Sequence, residues 1–406
     1  MDSFIEDIFL ALTLFLFFAK LLGELMLRLK QPALLGELLA GIIFGPYLLG
    51  KFLFEPSLFT GNTFTSFYEI GAAFFFFVIG YSEIDIFQLK KIAHNSIIAS
   101  IPNVLLSFIV GFIIGVSWGY SILASLFIGL ALSLTAIGVS ARTLMDLGKL
   151  HTDYGMLILG EAIIDALRSL LMLSFLILFI HPDTSFSIGS ALILIGKFFA
   201  FFVGAVLFYL LLLGPITQLL RRFLIDEAKF GVMMAIVLFF SYAAQKLGLH
   251  MIIGSFVAGI ILALEAEFKT KDIEYKIYGF SYGFFIPLFF AILGARVNFG
   301  ALIEGGLLAM VIIFAAIGVK FFGGYLGGLL IGFSSRKSWV VGSGLVPRTG
   351  VELVVVAVAL DAGLIDNKMF ASIVAMVAVT VFVTPFLLKF YIDRFEKFSA
   401  KAEKKK

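Results

Sequence analysis

The sequence of 406 residues contains no cysteine and only four histidines, and charged residues amount to only 14% of the chain. Without cysteine, disulfide bonds, thiolate metal sites and thiol nucleophiles are excluded, and four scattered histidines do not favour a histidine metal cluster. Soluble domains carry about a quarter charged residues, so water is excluded as the main solvent of this chain. The formal net charge of +3 is too small to indicate nucleic-acid binding.

Hydrophobic residues make up 61% of the chain, with 49 phenylalanines, and the mean hydropathy is +1.10. About 20 apolar residues cross the roughly 30 Å hydrocarbon core of a bilayer as a helix. The apolar runs are continuous rather than alternating, which is typical of helices and not of barrel strands. The sequence therefore predicts an all-α polytopic membrane protein with about 13 transmembrane helices. The predicted segments are about 8–28, 32–50, 66–83, 94–117, 121–144, 154–181, 185–214, 227–245, 249–267, 274–294, 301–332, 337–363 and 368–393.

The distribution of lysine and arginine predicts the orientation of the chain in the membrane. Twenty of these residues lie in the loops and tail on one side, and four lie in the loops on the other side. Loops rich in lysine and arginine are typically cytoplasmic. With an odd number of crossings, the N-terminus is predicted outside and the C-terminus in the cytoplasm, where residues 394–406 form a charged tail next to the lipid surface.

The sixth segment contains three charged residues at membrane depth, Glu161, Asp165 and Arg168. Their spacing places them on one face of a helix, with the two acids one turn apart. A buried charge costs roughly 3 kcal/mol or more in a bilayer, so each one needs a partner or a function. Lys320 in the eleventh segment and Arg348 in the twelfth are the candidate cationic partners. A structural ion-pair network that locks the helices together is the alternative interpretation.

Two segments contain small and hydroxyl residues that predict interrupted helices. The fifth reads SLTAIGVSART from 133 to 143, with Thr135 near its start, and the twelfth reads GSGLVPRTG from 342 to 350. At membrane depth such breaks occur only where protein or water satisfies the freed backbone groups, and transporters bind ions there. Both segments continue to an Asp-x-Gly sequence, and seven crossings separate them, which predicts an inverted repeat. The four glycines between 323 and 328 are assigned to close helix packing.

Five strings taken together resemble one known family. They are QPALLGELLAGIIFGP (31–46), SLTAIGVSARTLMDLGKL (133–150), GLHMIIGSFVAGIILA (248–263), FFIPLFFAILGARV (284–297) and GLVPRTGVELVVVAVALDAGLI (344–365). In order and spacing they are similar to the monovalent cation:proton antiporter superfamily, in its branch of bacterial sodium/proton and potassium/proton antiporters. The resemblance implies a thirteen-helix fold with two crossed, interrupted helices, a homodimer and elevator-like alternating access.

The same resemblance implies a division of the chain. Residues 1–393 form one transmembrane transporter unit. Its mobile core contains the helices at about 66–181 and 274–363, and its dimerisation domain contains those at about 1–50 and 185–267.

The ion-site helix of the family often carries two adjacent acids, or Asn-Asp or Gln-Asp. In this sequence the first position of that pair matches Asp165 and the second is Ala166. Lys320 resembles the lysine that pairs with the first acid in electrogenic members. Glu161 resembles a glutamate that pairs with an arginine in a related branch, which makes Arg348 its expected partner.

Ala166 at the position of the second acid leaves three interpretations open. In the first, Asp165 alone carries the ion and the proton, and Lys320 competes for it. In the second, Glu161 or Glu352 supplies the missing carboxylate. In the third, Ala166 is an engineered or natural loss that leaves the protein inactive or altered in substrate.

A carboxylate at membrane depth holds either a cation or a proton, so the two compete for one site. The sequence predicts that deprotonated Asp165 binds Na⁺ or K⁺ with help from the Thr135 hydroxyl, and that protons on Asp165 or Lys320 discharge the site. Hard oxygen ligands suit alkali ions. The predicted function is antiport of Na⁺, or K⁺, against H⁺ across the plasma membrane, by a homodimer without a cofactor.

Four further charged residues of the spans are predicted to form structural ion pairs or gates: Glu161, Arg348, Glu352 and Arg168. The alternative function is a channel, or an organic-anion transporter in which Arg168 and Arg348 clamp a carboxylate. An enzyme is not expected, because no nucleophile–base pair and no metal-ligand set is visible. The choice among Na⁺, K⁺ and Li⁺ and the stoichiometry stay open.

Overall fold

The computed structural model describes residues 2–29, 31–54, 58–59, 61–83, 86–177, 179–180, 188–223, 225, 227–348 and 350–403. All regular elements within these ranges are helices. The predicted start of the seventh crossing, at 185, and the last three residues of the tail lie outside the described residues.

The helices of the first half follow the predicted apolar segments. They are α1 (Asp2–Arg28), α2 (Ala33–Phe44), α3 (Gly50–Leu53), α4 (Asn62–Val78), α5 (Ile86–Ser117), α6 (Ile122–Ser133), α7 (Ile137–Asp146) and α8 (Asp153–Ile177). A π-helical turn, Ile79–Glu83, extends α4.

The second half continues in the same way. Its helices are α9 (Ile188–Leu207), α10 (Gly214–Leu220), α11 (Ala228–Lys246), α12 (Met251–Ala263), α13 (Lys271–Phe280), α14 (Ile286–Ala295), α15 (Phe299–Glu304), α16 (Gly306–Leu330), α17 (Ser335–Gly344), α18 (Gly350–Asp361) and α19 (Asn367–Glu403). The π-helical segments Phe208–Leu213 and Ser281–Phe285 join α9 to α10 and α13 to α14. Each of the thirteen predicted segments corresponds to one helix or to consecutive helices, so the predicted fold class is confirmed.

Nine helices in the described part of the chain are long and apolar enough to cross a membrane. Helices α2 and α12 are apolar but shorter. Helix α8 has 25 residues but carries Glu161, Asp165 and Arg168 in its middle, and α17 with α18 forms an interrupted crossing. The candidate site residues lie on α8, on the two interrupted crossings and on the long apolar helix α16, which carries Lys320.

The two interrupted helices cross at their breaks. Between α6 and α7 the chain is extended at Leu134 and Ala136, and between α17 and α18 it passes through Pro347. The Ala136 N–H donates a hydrogen bond of 2.9 Å to the Pro347 carbonyl, and the Ser140 hydroxyl donates to the Gly344 carbonyl. Each break therefore satisfies polar groups of the other, as the membrane interior requires.

Small residues bring α16 close to two neighbours. A Cβ on Gly327 would lie 2.1 Å from the Ala99 carbonyl oxygen of α5, and one on Gly323 would lie 2.6 Å from the backbone of α5. A Cβ on Gly324 or Gly328 would come within 2.9 Å of atoms in α17. The assignment of these four glycines to close helix packing is confirmed, and this packing places the middle of α16 beside the breaks.

Contacts divide most helices into two groups. In the first group α5–α8 pack with α16–α19, and in the second group α1, α2, α4, α12 and α14 pack with one another. Helix α14 touches α18 and so joins the groups. The expected core, about 66–181 and 274–363, overlaps the first group, while α4 and α14 pack in the second group and α19 packs on α16 and α17. The division into a mobile core and a dimerisation domain stays a prediction. Uniformly apolar crossings give no sequence signal for the neighbour they pack against.

Candidate functional site

Asp165 lies in the middle of α8, beside the break between α6 and α7, and its side chain is fully buried. Its oxygen Oδ2 accepts hydrogen bonds from three groups, namely Thr135 Oγ1 at 2.8 Å, Lys320 Nζ at 3.2 Å and Asn103 Nδ2 at 3.3 Å. The break contributes Thr135, α16 contributes Lys320 and α5 contributes Asn103. Three separate parts of the first helix group therefore meet at one acid.

Lys320 is also fully buried and connects Asp165 to the end of α6. Its ammonium donates to Thr135 Oγ1 at 2.6 Å and to the Ser133 carbonyl oxygen. Ser133 is the last residue of α6, where carbonyls without a helical partner form the negative end of the helix dipole. A carboxylate, a hydroxyl and a carbonyl oxygen thus surround one ammonium, and all three are ligands that suit an alkali ion.

The second oxygen of Asp165 faces Arg168. Oδ1 has no hydrogen-bond partner among the described residues, and Arg168 Nη2 lies 3.9 Å from it. The same guanidinium donates to Ser100 Oγ of α5. The side chain of Arg168 is 36% exposed, whereas those of Asp165 and Lys320 are fully buried. Within this cluster Arg168 is the member that reaches the surface of the molecule.

The expected ion pair between Glu161 and Arg348 is not formed. Glu161 is fully buried, and neither of its carboxylate oxygens has a hydrogen-bond partner within the described ranges. Arg348, which is also fully buried, donates a hydrogen bond of 2.9 Å to the Ala131 carbonyl in the last turn of α6. The guanidinium points to these carbonyls because they carry the negative end of a half-helix and need donors.

Glu352 lies four residues after Arg348 and is fully buried in the first turn of α18. The two residues interact electrostatically. The second break therefore has its own pair of opposite charges, next to the pair of Lys320 and Asp165 at the first break. Arg348 and Glu352 are both predicted ion-pair residues, and they interact with each other here. Arg348 therefore has Glu352 as its charged neighbour and not the expected Glu161.

Asn103 is a site residue that sequence reasoning missed. It follows Pro102 inside α5, its Nδ2 binds Asp165, and its oxygen Oδ1 is buried without a hydrogen-bond partner in the described part of the chain. A signal was present in the sequence, because α5 carries a stripe of buried polar residues at helical spacing. This stripe consists of Ser96, Ser100, Asn103 and Ser107.

Ala166 is buried directly after Asp165 and adds no polar atom to the site. The predicted residues that the structure brings into mutual contact are Asp165, Thr135 and Lys320, with Arg168 beside them. Glu161 lies one turn before Asp165 on the same helix. The site is thus built around one acid with neutral and cationic neighbours.

Comparison with known proteins agrees with this architecture. The family model described as sodium/hydrogen exchanger, transmembrane, matches residues 13–394. The chain is 28% identical over 384 residues to the Na⁺/H⁺-K⁺ antiporter GerN of Bacillus cereus, covering 95% of this chain and 96% of GerN. It is 31% identical over 382 residues to the probable Na⁺/H⁺ antiporter GerT of the same organism, covering 94% of this chain and 98% of GerT.

A solved structure of the sodium proton antiporter MjNhaP1 from Methanocaldococcus jannaschii at pH 8 has a TM-score of 0.64 to this chain. The alignment has 17% identity and covers 94% of this chain and 96% of that chain, so it shows a shared fold. Because the family model covers nearly the whole chain, the protein belongs to the sodium/hydrogen exchanger family, a family of membrane transporters that exchange cations for protons.

Proposed function

We propose that this protein is a secondary active antiporter that exchanges Na⁺, or K⁺ as the second choice, for protons. The observation that carries the proposal is the fully buried Asp165, whose Oδ2 is shared by Lys320 and Thr135. An ionised carboxylate at membrane depth needs a positive partner. Lys320, an alkali ion and a proton each meet that need, and competition for one group is what antiport requires.

The exchange cycle follows from this competition. An entering cation displaces the Lys320 ammonium from Asp165 and takes over the oxygens of Thr135 and Ser133. Lys320, now without its acid, gives up a proton to water. On the other side of the membrane a proton returns, the ammonium pairs again with Asp165, and the cation leaves. The core moves only when Asp165 is neutralised, since an unpaired charge is too costly to carry across.

The names of the relatives support the choice of ion. GerT is named as a probable Na⁺/H⁺ antiporter and GerN as a Na⁺/H⁺-K⁺ antiporter. The oxygen atoms around Lys320 suit either ion. Na⁺ is the first choice because it is common to both names.

Of the three interpretations of Ala166, this proposal adopts the first, in which Asp165 is the only acid of the ion site. Asp165 contacts both Lys320 and Thr135, so it serves as the single acid for which the cation and the proton-carrying Lys320 compete. Glu161, Arg348, Glu352 and Arg168 serve as structural or gating charges. Exchange of an alkali cation for a proton then needs no second acid.

Alternating access would move the first helix group, which contains the site, against the second group. The division of contacts between the two groups supports this proposed movement.

We also propose that the protein forms a homodimer through the second group. It lies in the cell membrane with its N-terminus outside the cell and its C-terminus in the cytoplasm. The support for this orientation is the excess of lysine and arginine in one set of loops.

Cation-dependent proton flux in proteoliposomes tests the proposal. Addition of Na⁺ or K⁺ to vesicles with an imposed pH gradient is expected to collapse the gradient with the parent protein. Asp165→Asn is expected to abolish this flux, because an amide neither titrates nor neutralises a cation. Asp146→Asn, an exposed acid at the end of α7, is the control and is expected to retain the flux. Equal flux in parent and Asp165→Asn would remove Asp165 from its role.

A further inference from the structure

Arg168 is a charged residue in the middle of α8 to which the exchange cycle gives no task. Its guanidinium lies 3.9 Å from Asp165 Oδ1, on the side of the carboxylate opposite the hydrogen bonds of Oδ2. The distance is too long for a hydrogen bond and short enough for a strong electrostatic attraction. Asp165 is therefore flanked by two cations, Lys320 on one oxygen and Arg168 on the other.

The contacts of Ser100 hold the guanidinium at this distance. The Ser100 hydroxyl donates its hydrogen to the Ile97 carbonyl at 2.9 Å, so its lone pairs are free to accept from Arg168. Asp165 Oδ1 in turn has no hydrogen-bond donor among the described residues. Arg168 is thus tethered to a neutral oxygen next to an acid that it does not quite reach.

Exposure indicates where a cation approaches the site. Asp165, Lys320 and Thr135 are buried, whereas the Arg168 side chain is 36% exposed. Leu171 and Phe175, three and seven residues further along the same face of α8, are exposed as well. On this uncovered face the Arg168 guanidinium lies beside Asp165 Oδ1, so a cation that approaches Oδ1 from here has to pass it.

We propose that Arg168 is a tethered competitor of the transported cation, a positioning residue that lies beside the free oxygen of Asp165 and must yield when the ion binds. This inference rests on the proposed antiport function and adds to it a residue that sets the apparent cation affinity. The charges that face Asp165 are Glu161 and Arg168 on its own helix, Lys320 on α16 and Arg348 at the second break.

The test compares the apparent KM for Na⁺ and the maximal rate of proton flux in proteoliposomes of parent, Arg168→Gln, Arg168→Met and Arg168→Lys. Removal of the charge is expected to lower the KM about three- to tenfold, the value of a partly exposed ion pair, with a maximal rate within about twofold. Arg168→Lys, which keeps the charge, is expected to return the KM towards the parental value. Arg28→Gln removes an exposed arginine paired with Glu24 in α1 and serves as the matched control.

Ser100→Ala keeps the proposal testable if the neutral variants of Arg168 do not fold. Without the hydroxyl, the guanidinium is free to close onto Oδ1, so the KM is expected to rise. Parental KM values in Ser100→Ala and in the neutral variants, or equal KM values in Arg168→Gln and Arg168→Lys, would overturn the inference while leaving the antiport itself in place. Absence of cation-dependent flux in the parent would instead overturn the proposed function.

Discussion

At the residue scale, Thr135 connects the acid and the base of the site. Its hydroxyl donates to Asp165 and accepts from Lys320, which fixes the direction of the hydroxyl hydrogen. Ser133 provides a further oxygen from the end of α6. A cation that replaces the ammonium meets these same oxygens, so Thr135 contributes both to the resting pair and to the proposed ion site.

Thr135→Val tests this contribution with a side chain of nearly the same shape. A hydrogen bond to a charged group contributes about 1.5–3 kcal/mol, so the apparent affinity for the cation is expected to fall about tenfold or more. The measurement is the cation dependence of proton flux in proteoliposomes. Thr143→Val, which removes a hydroxyl that binds the Val139 carbonyl within α7, is expected to leave the affinity unchanged. Equal affinities in both variants would exclude Thr135 from the ion site.

The sequence predicts some residues of the candidate site and misses others. Asp165, Thr135 and Lys320 were predictable because a charge or a hydroxyl inside an apolar segment stands out. Asn103 was not selected, since one amide among the serines of α5 carries no charge that demands a partner. The predicted pair of Glu161 with Arg348 failed because sequence spacing does not show that the end of α6 competes for the guanidinium.

At the scale of elements, the breaks and the glycines of α16 position the site. The breaks bring the ends of half-helices together, and α16 carries Lys320 into that region. Close approach to α5 is possible only without side chains at Gly323 and Gly327. The positions of the breaks were predictable from proline, small and hydroxyl residues, while the crossing of the two breaks came from the family resemblance.

Gly327→Ala is expected to lower the midpoint of thermal unfolding strongly or to prevent folding. Its Cβ would lie 2.1 Å from the Ala99 carbonyl oxygen, and backbone atoms yield only at high cost. Gly318→Ala, on the same helix with nothing within 4 Å of the new Cβ, is the control. It is expected to be neutral or to stabilise by up to about 1 kcal/mol, because alanine favours helix. Similar midpoints for both variants would contradict the packing described for α16.

A double-mutant cycle separates the two partners suggested for Arg348. Because Glu161 makes no hydrogen bond to Arg348, the effects of Glu161→Gln and Arg348→Met on the free energy of unfolding are expected to add within about 0.5 kcal/mol. Arg348→Met and Glu352→Gln are expected to couple by more than that, since their charges interact in a buried site. The measurement is thermal or denaturant unfolding in detergent. Strong coupling of Glu161 with Arg348 would restore the original pairing.

At the scale of the whole molecule, an ion pair among the described residues links the two helix groups. Arg296, just after α14, donates to both carboxylate oxygens of Asp361 at the end of α18, at 2.7 and 2.8 Å. The guanidinium also stacks 4.4 Å from the ring of Tyr68 in α4. This pair ties the end of α18 to the segment after α14, so it holds the two groups together at this point.

Arg296→Gln is expected to lower the midpoint of thermal unfolding by about 2 °C or more, because a bidentate pair and a ring contact are lost together. Lys368→Gln removes an exposed pair between α19 and Glu304 of the short helix α15, and it is the control, with little change expected. Equal midpoints for both variants would show that the link does not hold the groups together.

Most of the global architecture was predictable because the membrane imposes it. Thirteen long apolar runs have few alternatives to thirteen crossings, since backbone groups in the membrane must be satisfied within their own helix or, at a break, by a neighbouring segment. The grouping of α4, α14 and α19 was not predictable, because their apolar surfaces fit lipid and protein neighbours equally well.

The most direct test of the central claim is proton release when the purified protein binds a cation in weakly buffered detergent solution. If the alkali ion displaces the Lys320 ammonium from Asp165 and the lysine then gives up its proton, addition of Na⁺ to the parent releases protons, and Asp165→Asn releases none. The same proton release from Asp165→Asn as from the parent, or cation binding to the parent without any release, would contradict the account.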